Sequence, residues 1–259
     1  MADRLSIVRL QPSTVLAWAP AVGGGMGELR QAYPRAEIVA VEPDASVRNA
    51  PGAARAWWPW RRAAAVPLAP AAVAAGAAQL VWSNMGLHGA ADPQALMRQW
   101  QQALAVDGFL MFSTLGPGTL QPLRDIYRSQ GWLQPHAPFV DMHDLGDMLV
   151  EAGFADPVMD QETITLTWPT PEAALNELRG LGGNVAQQRH AGLRTPRWQQ
   201  QLTDALRALP AAGGGRVALP FELVYGHAFR PVPRPRLGPE TAVSLDDMRA
   251  MVRRPVRPD

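Results

Sequence analysis

Glu42 is the residue best placed to do chemistry. It closes the apolar, β-branched run Ile38–Val41 and is followed by Pro43. An acid at the end of such a strand can accept hydrogen bonds from both hydroxyls of a ribose, as in dinucleotide-binding folds. Its alternative role is that of a solvated loop carboxylate. Upstream stand Gly23, Gly24 and Gly25, where missing side chains would let the backbone approach a ligand. A plain flexible turn is the competing reading. Other chemistries drop out. No cysteine is present, which removes disulfides, thiolate metal sites and a cysteine nucleophile. All 24 basic residues are arginine, so no Schiff-base lysine exists. The five histidines form no HExxH pattern, and no GxSxG elbow occurs.

These residues need elements to hold them. "TVLAWAPAVGGGMGELRQAYPRAEIVAVEPD" reads as strand, glycine turn, short helix, strand and acid. Gly23–Gly27 is the expected turn, Gly27–Tyr33 the helix, and Pro34 its stop. Tight strand–helix–strand connections imply parallel pairing with a right-handed crossover. Leu80–Ser83 is a further strand. Asp92-Pro93 starts a helix, with Asp92 as N-cap and Pro93 at the first position. Leu96, Trp100 and Leu104 line one face of it, and Asp107-Gly108 is expected to end it. Phe109–Phe112 is the next strand, followed by the loop "TLGPGTL". Leu120, Leu123 and Tyr127 mark a helix, and Asp144–Ala152 another, closed by Gly153. Thr163–Trp168 alternates, with Ile164, Leu166 and Trp168 expected inward. Two more helices carry Leu175, Leu178, Leu181 and then Trp198, Leu202, Leu206. Val217–Phe229 closes the fold with an expected break at Pro220.

The pattern predicts an α/β protein with a doubly wound, mostly parallel sheet, helices on both faces and late strands able to run antiparallel. Ligands in such sheets lie beyond the carboxyl ends of the strands. That gathers Pro20–Gly25, Glu42, Asn84–His88 and Leu115–Gly118 around one crevice. With 47% hydrophobic residues, 18% charged and a net charge of +1, a packed core is expected and no strong field draws nucleic acid or membrane. No apolar run reaches the ~18 residues of a transmembrane helix. A cytoplasmic protein without metal is the expectation. The Ala/Pro-rich stretch 50–78 reads as irregular apart from one edge strand. Its Trp57, Trp58, Trp60 cluster suits an adenine-side wall or an exposed patch.

Once the middle of the chain is read, a family resemblance emerges. "LVWSNMGLHGAADPQALMRQWQQALAVDGFLMFSTLGPGTLQPLRDIY" resembles the core of class I S-adenosylmethionine-dependent methyltransferases. More narrowly, it is similar to the malonyl-[acyl-carrier protein] O-methyltransferases of biotin synthesis. "WSN" and "DGFLMFSTLGPGTL" match that family's fourth strand and fifth strand with its loop. "HAPFVDMHDLGDMLVEAGF", "LRGLGGN" and "FELVYGHAF" carry the match to about residue 230. The resemblance implies a seven-stranded Rossmann-like sheet and S-adenosylmethionine as cofactor. It further implies methyl transfer to the free carboxyl of a malonyl thioester on acyl-carrier protein. Gly23, Gly24, Gly25, Glu42, Pro43, Ser83, Asn84 and Met85 would hold the cofactor. His88 and His136 would face the substrate as catalytic candidates, while His143 reads as a helix-start residue. Arg124, Arg179 and Arg194, in family-like segments, could fork onto the malonyl carboxylate. Residues 1–230 would form the methyltransferase-like domain, with a helical insertion at about 170–212, and 231–259 a Pro/Arg-rich tail.

The chain also departs from the family. The usual first motif, D-x-G-x-G-x-G, here has Ala17 for the aspartate and Ala19 and Ala21 for glycines. The expected adenine-contacting acid after the third strand is absent from "RRAAAVPLAP". The family usually carries a helical segment before the first strand, which here would begin near residue 14; either this chain starts late, or that segment is absent or supplied by a partner. These departures keep open a non-catalytic binding or scaffold protein. A mitochondrial complex I assembly relative, which shares "LH" after "SN" and the "DLG" helix, and an enzyme with another acceptor remain further alternatives.

Overall fold

The computed structural model describes residues 1–49, 66–210 and 215–233. Six strands among them form one sheet: β1 (Thr14–Trp18), β2 (Glu37–Val41), β3 (Ala78–Ser83), β4 (Leu104–Leu115), β5 (Ala155–Trp168) and β6 (Val217–Phe229). The order is β2-β1-β3-β4-β6-β5. Strands β1 to β4 run parallel, and β6 enters antiparallel between β4 and β5. Beyond β2, Leu68 bridges Val41 in parallel sense, which marks where a seventh strand would pair. The Trp57, Trp58, Trp60 cluster and the tail from 234 onward lie outside the described residues.

Parallel central strands bury both faces, so their sequence is almost wholly apolar. In β1, Val15 and Ala17 pack with Leu29, Leu80, Trp82 and Phe109 on one side of the sheet. Leu16 and Trp18 face the opposite layer, with Trp100, Phe112, Leu145 and Leu149. The helices α2 (Met26–Ala32) on the first side and α4 (Pro93–Ala103) and α6 (Met142–Glu151) on the second complete the three layers. A separate apolar cluster joins α5 (Gln121–Ser129), α7 (Pro171–Gly180) and α8 (Pro196–Arg207) to Trp168, Leu219 and Phe221. Helix starts follow the expected chemistry. Asp92 Oδ1 accepts from the Ala95 N–H at 2.8 Å, and Asp141 Oδ1 from the His143 N–H at 2.8 Å.

Four expectations need correcting. The turn was expected from Gly23, but Pro20–Gly23 is itself a helical turn (α1), and α2 starts at Met26. Helix α4 stops at Ala103, because Leu104 already pairs with Ala78 in β4. Asp107-Gly108 instead forms a bulge: Ala78 faces Leu104 whereas Leu80 faces Phe109, and Asp107 takes φ 64°. Ile164 and Leu166 are 43% and 41% exposed, since β5 is an edge strand that no layer of the described residues covers at that point; of the three only Trp168 is buried. Pro220 does not break β6. Its carbonyl accepts the Leu120 N–H at 2.8 Å on the side away from β5, so the missing N–H falls where no strand pairs.

Gly226 lies in the middle of β6 where Phe112 and Met159 press on the backbone. A Cβ there would overlap the Phe112 ring, deep in the core. Gly226→Ala should lower stability by about 1–3 kcal/mol. The urea midpoint should fall with an unchanged m-value.

Candidate functional site

The sheet order reverses at β1, with β2 on one side and β3 on the other. The chain leaves these strands in opposite directions and opens a crevice at their carboxyl ends. A cavity of about 790 Å³ occupies it. Trp18, Ala19, Glu42, Pro43 and Asp44 line one end. Met85 and His88 line the middle. Leu120, Leu123, His136, Phe139 and Leu178 line the other end.

The first end is built by close backbone contacts. Gly23 packs onto the end of β3 so tightly that a Cβ would overlap the Asn84 carbonyl. The Asn84 amide donates to the Gly23 carbonyl, and the Ser113 hydroxyl donates to Asn84 Oδ1 at 2.6 Å. The Met85 N–H donates to the Ser113 carbonyl at 3.0 Å. Gly24 and Gly25 take φ of 65° and 87°, and Gly25 lies against the Trp82 indole. Gly23, Gly24, Gly25, Ser83 and Asn84 are not among the residues that line the cavity, whereas their neighbours Ala19, Val22 and Met85 are. Ser83 is fully buried and its hydroxyl has no partner. Ser113 and Trp18 were not found by sequence reasoning. Nothing in a strand-internal Ser or Trp signals a role until the strands are aligned.

The altered glycine motif has a structural consequence. Ala19, standing where a glycine is usual, is held at φ 51° and ψ 47° by its N–H bond to the Val41 carbonyl at 2.8 Å. That left-handed conformation is unfavourable for a residue with a Cβ. Ala17 is wholly buried in the apolar layer with Leu29 and Trp82, on the sheet face opposite Trp18.

Glu42 is only 3% exposed. Its Oε1 accepts a long bond from the Asp44 N–H at 3.4 Å, and its buried Oε2 has no partner. Its backbone is braced on both sides. The Glu42 N–H donates to the Leu68 carbonyl at 2.9 Å, and Arg48, which sequence reasoning missed, donates to the Glu42 carbonyl and to the Pro43 carbonyl at 2.8 Å. An unsatisfied buried carboxylate oxygen is costly, so a donor supplied by a ligand would be strongly retained. Two vicinal hydroxyls match that need. Trp18, which also lines the cavity, has a buried, unpartnered indole N–H. The donor and acceptor set therefore fits the sugar portion of a nucleoside cofactor.

At the far end, His136 stacks on Phe139 with ring centroids 4.9 Å apart, and His88 meets the same ring edge-on at 6.0 Å. His136 Nδ1 is 2.7 Å from the Ala137 carbonyl, which assigns the proton to Nδ1 and leaves Nε2 as an acceptor. That Nε2 is buried without a partner. Burial holds the His136 imidazole below its usual pKa, opposed by the Ala137 bond and reinforced by the nearby Arg124 cation. Burial lowers His88 likewise. Both are neutral at physiological pH, ready to accept rather than to carry charge.

The three candidate arginines do not line the cavity. Arg124 donates to the Pro117 carbonyl and to Gln121 Oε1, with its Nε buried and unpartnered. Arg179 donates to Asn176 Oδ1 at 3.0 Å, and Arg194 lies over the Trp198 ring at 4.5 Å. Among the described residues no three His, Asp or Glu side chains gather as a metal site, and no helix is long and apolar enough to cross a membrane.

Comparison with known proteins adds an independent line. No family model matches the chain. The malonyl-[acyl-carrier protein] O-methyltransferase of Laribacter hongkongensis is 36% identical over 263 residues, covering 97% of this chain and 85% of the relative. The protein of the same name from Gallionella capsiferriformans is 33% identical over 241 residues, 90% of this chain and 82% of the relative. Among solved structures, a Bacillus halodurans methyltransferase superposes with a TM-score of 0.59 at 16% identity, covering 89% of this chain and 98% of that one. The Bacillus subtilis YcgJ protein gives 0.55 at 10% identity, covering 85% and 93%. These two likenesses establish the methyltransferase fold.

Two measurements follow from the geometry. Ala19→Gly should raise stability by roughly 0.5–1 kcal/mol, the left-handed strain relieved less the extra freedom of the unfolded chain. Its melting temperature should rise accordingly. The second concerns pH. A buried histidine with a lowered pKa is protonated more readily in the unfolded chain. Stability should therefore fall as pH drops below about 6.5, the ordinary histidine value, towards the depressed folded value. His136→Gln should flatten that acid-side slope in urea titrations between neutral and mildly acid pH.

Proposed function

The chain belongs to the malonyl-[acyl-carrier protein] O-methyltransferases, and from that premise we propose that it methylates the free carboxyl of a malonyl thioester on acyl-carrier protein, in the cytoplasm, as a step of biotin synthesis. The observation that carries the reading is Glu42: a buried carboxylate with an unpartnered oxygen at the switch point of a methyltransferase sheet. S-adenosylmethionine, when bound, supplies an activated methyl group on a sulfonium.

The chain's own residues then have four tasks. Glu42 accepts the ribose hydroxyls, held in place by Arg48 and the Leu68 bridge. The Gly23 turn, locked by Asn84 and Ser113, keeps the backbone low enough for the methionine portion beside Met85. Leu120, Leu123, Phe139 and Leu178 exclude water from the acceptor end. His136 Nε2, as a neutral acceptor, is left for an N–H or O–H donor of the incoming acceptor, while the malonyl group reacts as the carboxylate it already is at neutral pH. A carboxylate is already a competent nucleophile, so positioning contributes most of the rate. Residues 1–230 act as one catalytic domain, with the helices of about 170–212 forming its acceptor-side wall.

The eroded glycine motif favours one rival, a non-catalytic protein of the same fold. Calorimetric titration with S-adenosylmethionine separates the two. Micromolar binding is expected, and no heat at millimolar ligand supports the rival. Glu42→Ala should weaken binding at least about tenfold, the loss of a charge-assisted hydrogen-bond pair. An unchanged affinity would mean that the ribose sits elsewhere.

A further inference from the structure

Between Glu177 and Asp204 the chain carries no carboxylate, yet it holds Arg179, Arg189, Arg194 and Arg197. The whole chain has a net charge of only +1, so this segment is a local concentration of positive charge. Among the described residues none of the four arginines has an acidic partner. Arg189 donates to the Ala186 carbonyl at 3.1 Å, and the Arg179 and Arg194 contacts given above are equally uncharged. The flanking acids are engaged elsewhere. Glu177 accepts from the Trp168 indole at 2.6 Å, and Asp204 pairs with Arg207 at 2.8 Å.

This basic stretch is also a wall of the cavity. Leu178 and residues 181–185 line the mouth. The loop is fastened there, because the Asn184 amide donates to the Gln134 carbonyl at 2.8 Å and Ala186 is buried. Its outer side is apolar and open: Leu193 is 97% exposed, and Leu181 and Val185 are each 73% exposed. Exposed aliphatic side chains among unpaired arginines, at the entrance of a deep cavity, suit a partner that is acidic and delivers a tethered group.

We infer that the segment 178–198 is the docking face for an acidic acyl-carrier protein, whose tethered thioester enters the cavity past residues 181–185. The inference rests on the function proposed above for the acceptor. Arg179 and Arg194, expected from the sequence to grip the small carboxylate, act in this arrangement on the protein that carries it. Leu181 and Val185 meet the partner's apolar surface at the rim.

The test titrates labelled malonyl-carrier protein into the full chain, native and Arg189→Glu/Arg197→Glu, with S-adenosylhomocysteine present. Both substitutions fall on exposed positions, and matching melting curves will confirm the fold. The double variant should bind about tenfold more weakly or worse, with Arg→Gln at the same sites intermediate. Native binding should weaken from about 50 to about 300 mM salt, and the variant should lose most of that dependence. Equal affinities for native and double variant overturn the inference. So does native binding of heparin as tight as that of the carrier protein, which would mark an indiscriminate polyanion face. Methyl transfer to the N-acetylcysteamine thioester of malonate reads the acceptor chemistry separately. If that fails while charge-dependent carrier binding holds, the function reading falls and the docking face stands.

Discussion

Gly23 has no room for a side chain because the end of β3 lies directly against it, and the Asn84 amide closes the gap by donating to its carbonyl. Much of the site hangs on this contact. It fixes how far the chain leaving β1 can rise above the sheet, and so the depth of the crevice. Ser113 on β4 reaches across to Asn84 and so couples a third strand to the same point. Three parallel strands are thus tied together at their carboxyl ends by side-chain bonds, where the ladder itself stops. The turn is rigid enough that Ala19 is kept left-handed although alanine gains nothing from that conformation.

The same rigidity allows Glu42 to stay buried. A carboxylate with a free oxygen would ordinarily turn towards water or find a partner. Here the backbone on both sides is held by Leu68 and Arg48, and the side chain remains at the cavity wall. The folded chain thus keeps an unpartnered acceptor oxygen at the cavity wall, at a cost in stability. His136 follows the same logic at the other end. One ring nitrogen is satisfied by its neighbour's carbonyl, the other is left waiting, and burial keeps the ring uncharged.

Between these two ends the cavity is mostly apolar, and charge is displaced to its rim. Arg124 is turned to the Pro117 carbonyl, and the arginines of the 178–198 segment point their charge outside the lining. A free carboxylate entering from water would lose hydration before meeting any cation in the lining. An acceptor that arrives on a protein avoids part of this difficulty, since the protein's contacts with the rim can offset desolvation of the small group.

Much of this was legible in the chain order. Apolar runs of five or six residues, an N-capping Asp before Pro93 and glycines after β1 specify the parallel sheet and its crossovers, because each follows from local backbone and burial rules. The place of Glu42 was legible too: an acid directly after a β-branched run stands at the carboxyl end of a strand, although its burial was not. What sequence could not give was coverage and alignment. Ile164 and Leu166 alternate like buried residues, yet among the described residues no layer covers β5 there. Asp107-Gly108 reads as a helix stop, yet it is spent on a bulge. Ser113, Trp18 and Arg48 acquire their roles only when strands and turns far apart in sequence are brought into register. Gly23 is pressed onto the end of β3, a contact that the glycine pattern alone does not reveal. The sequence determines which elements form and where an acid must stand, because those depend on neighbours along the chain. The tertiary structure decides which polar atoms are left without partners, and that depends on what the fold brings across space.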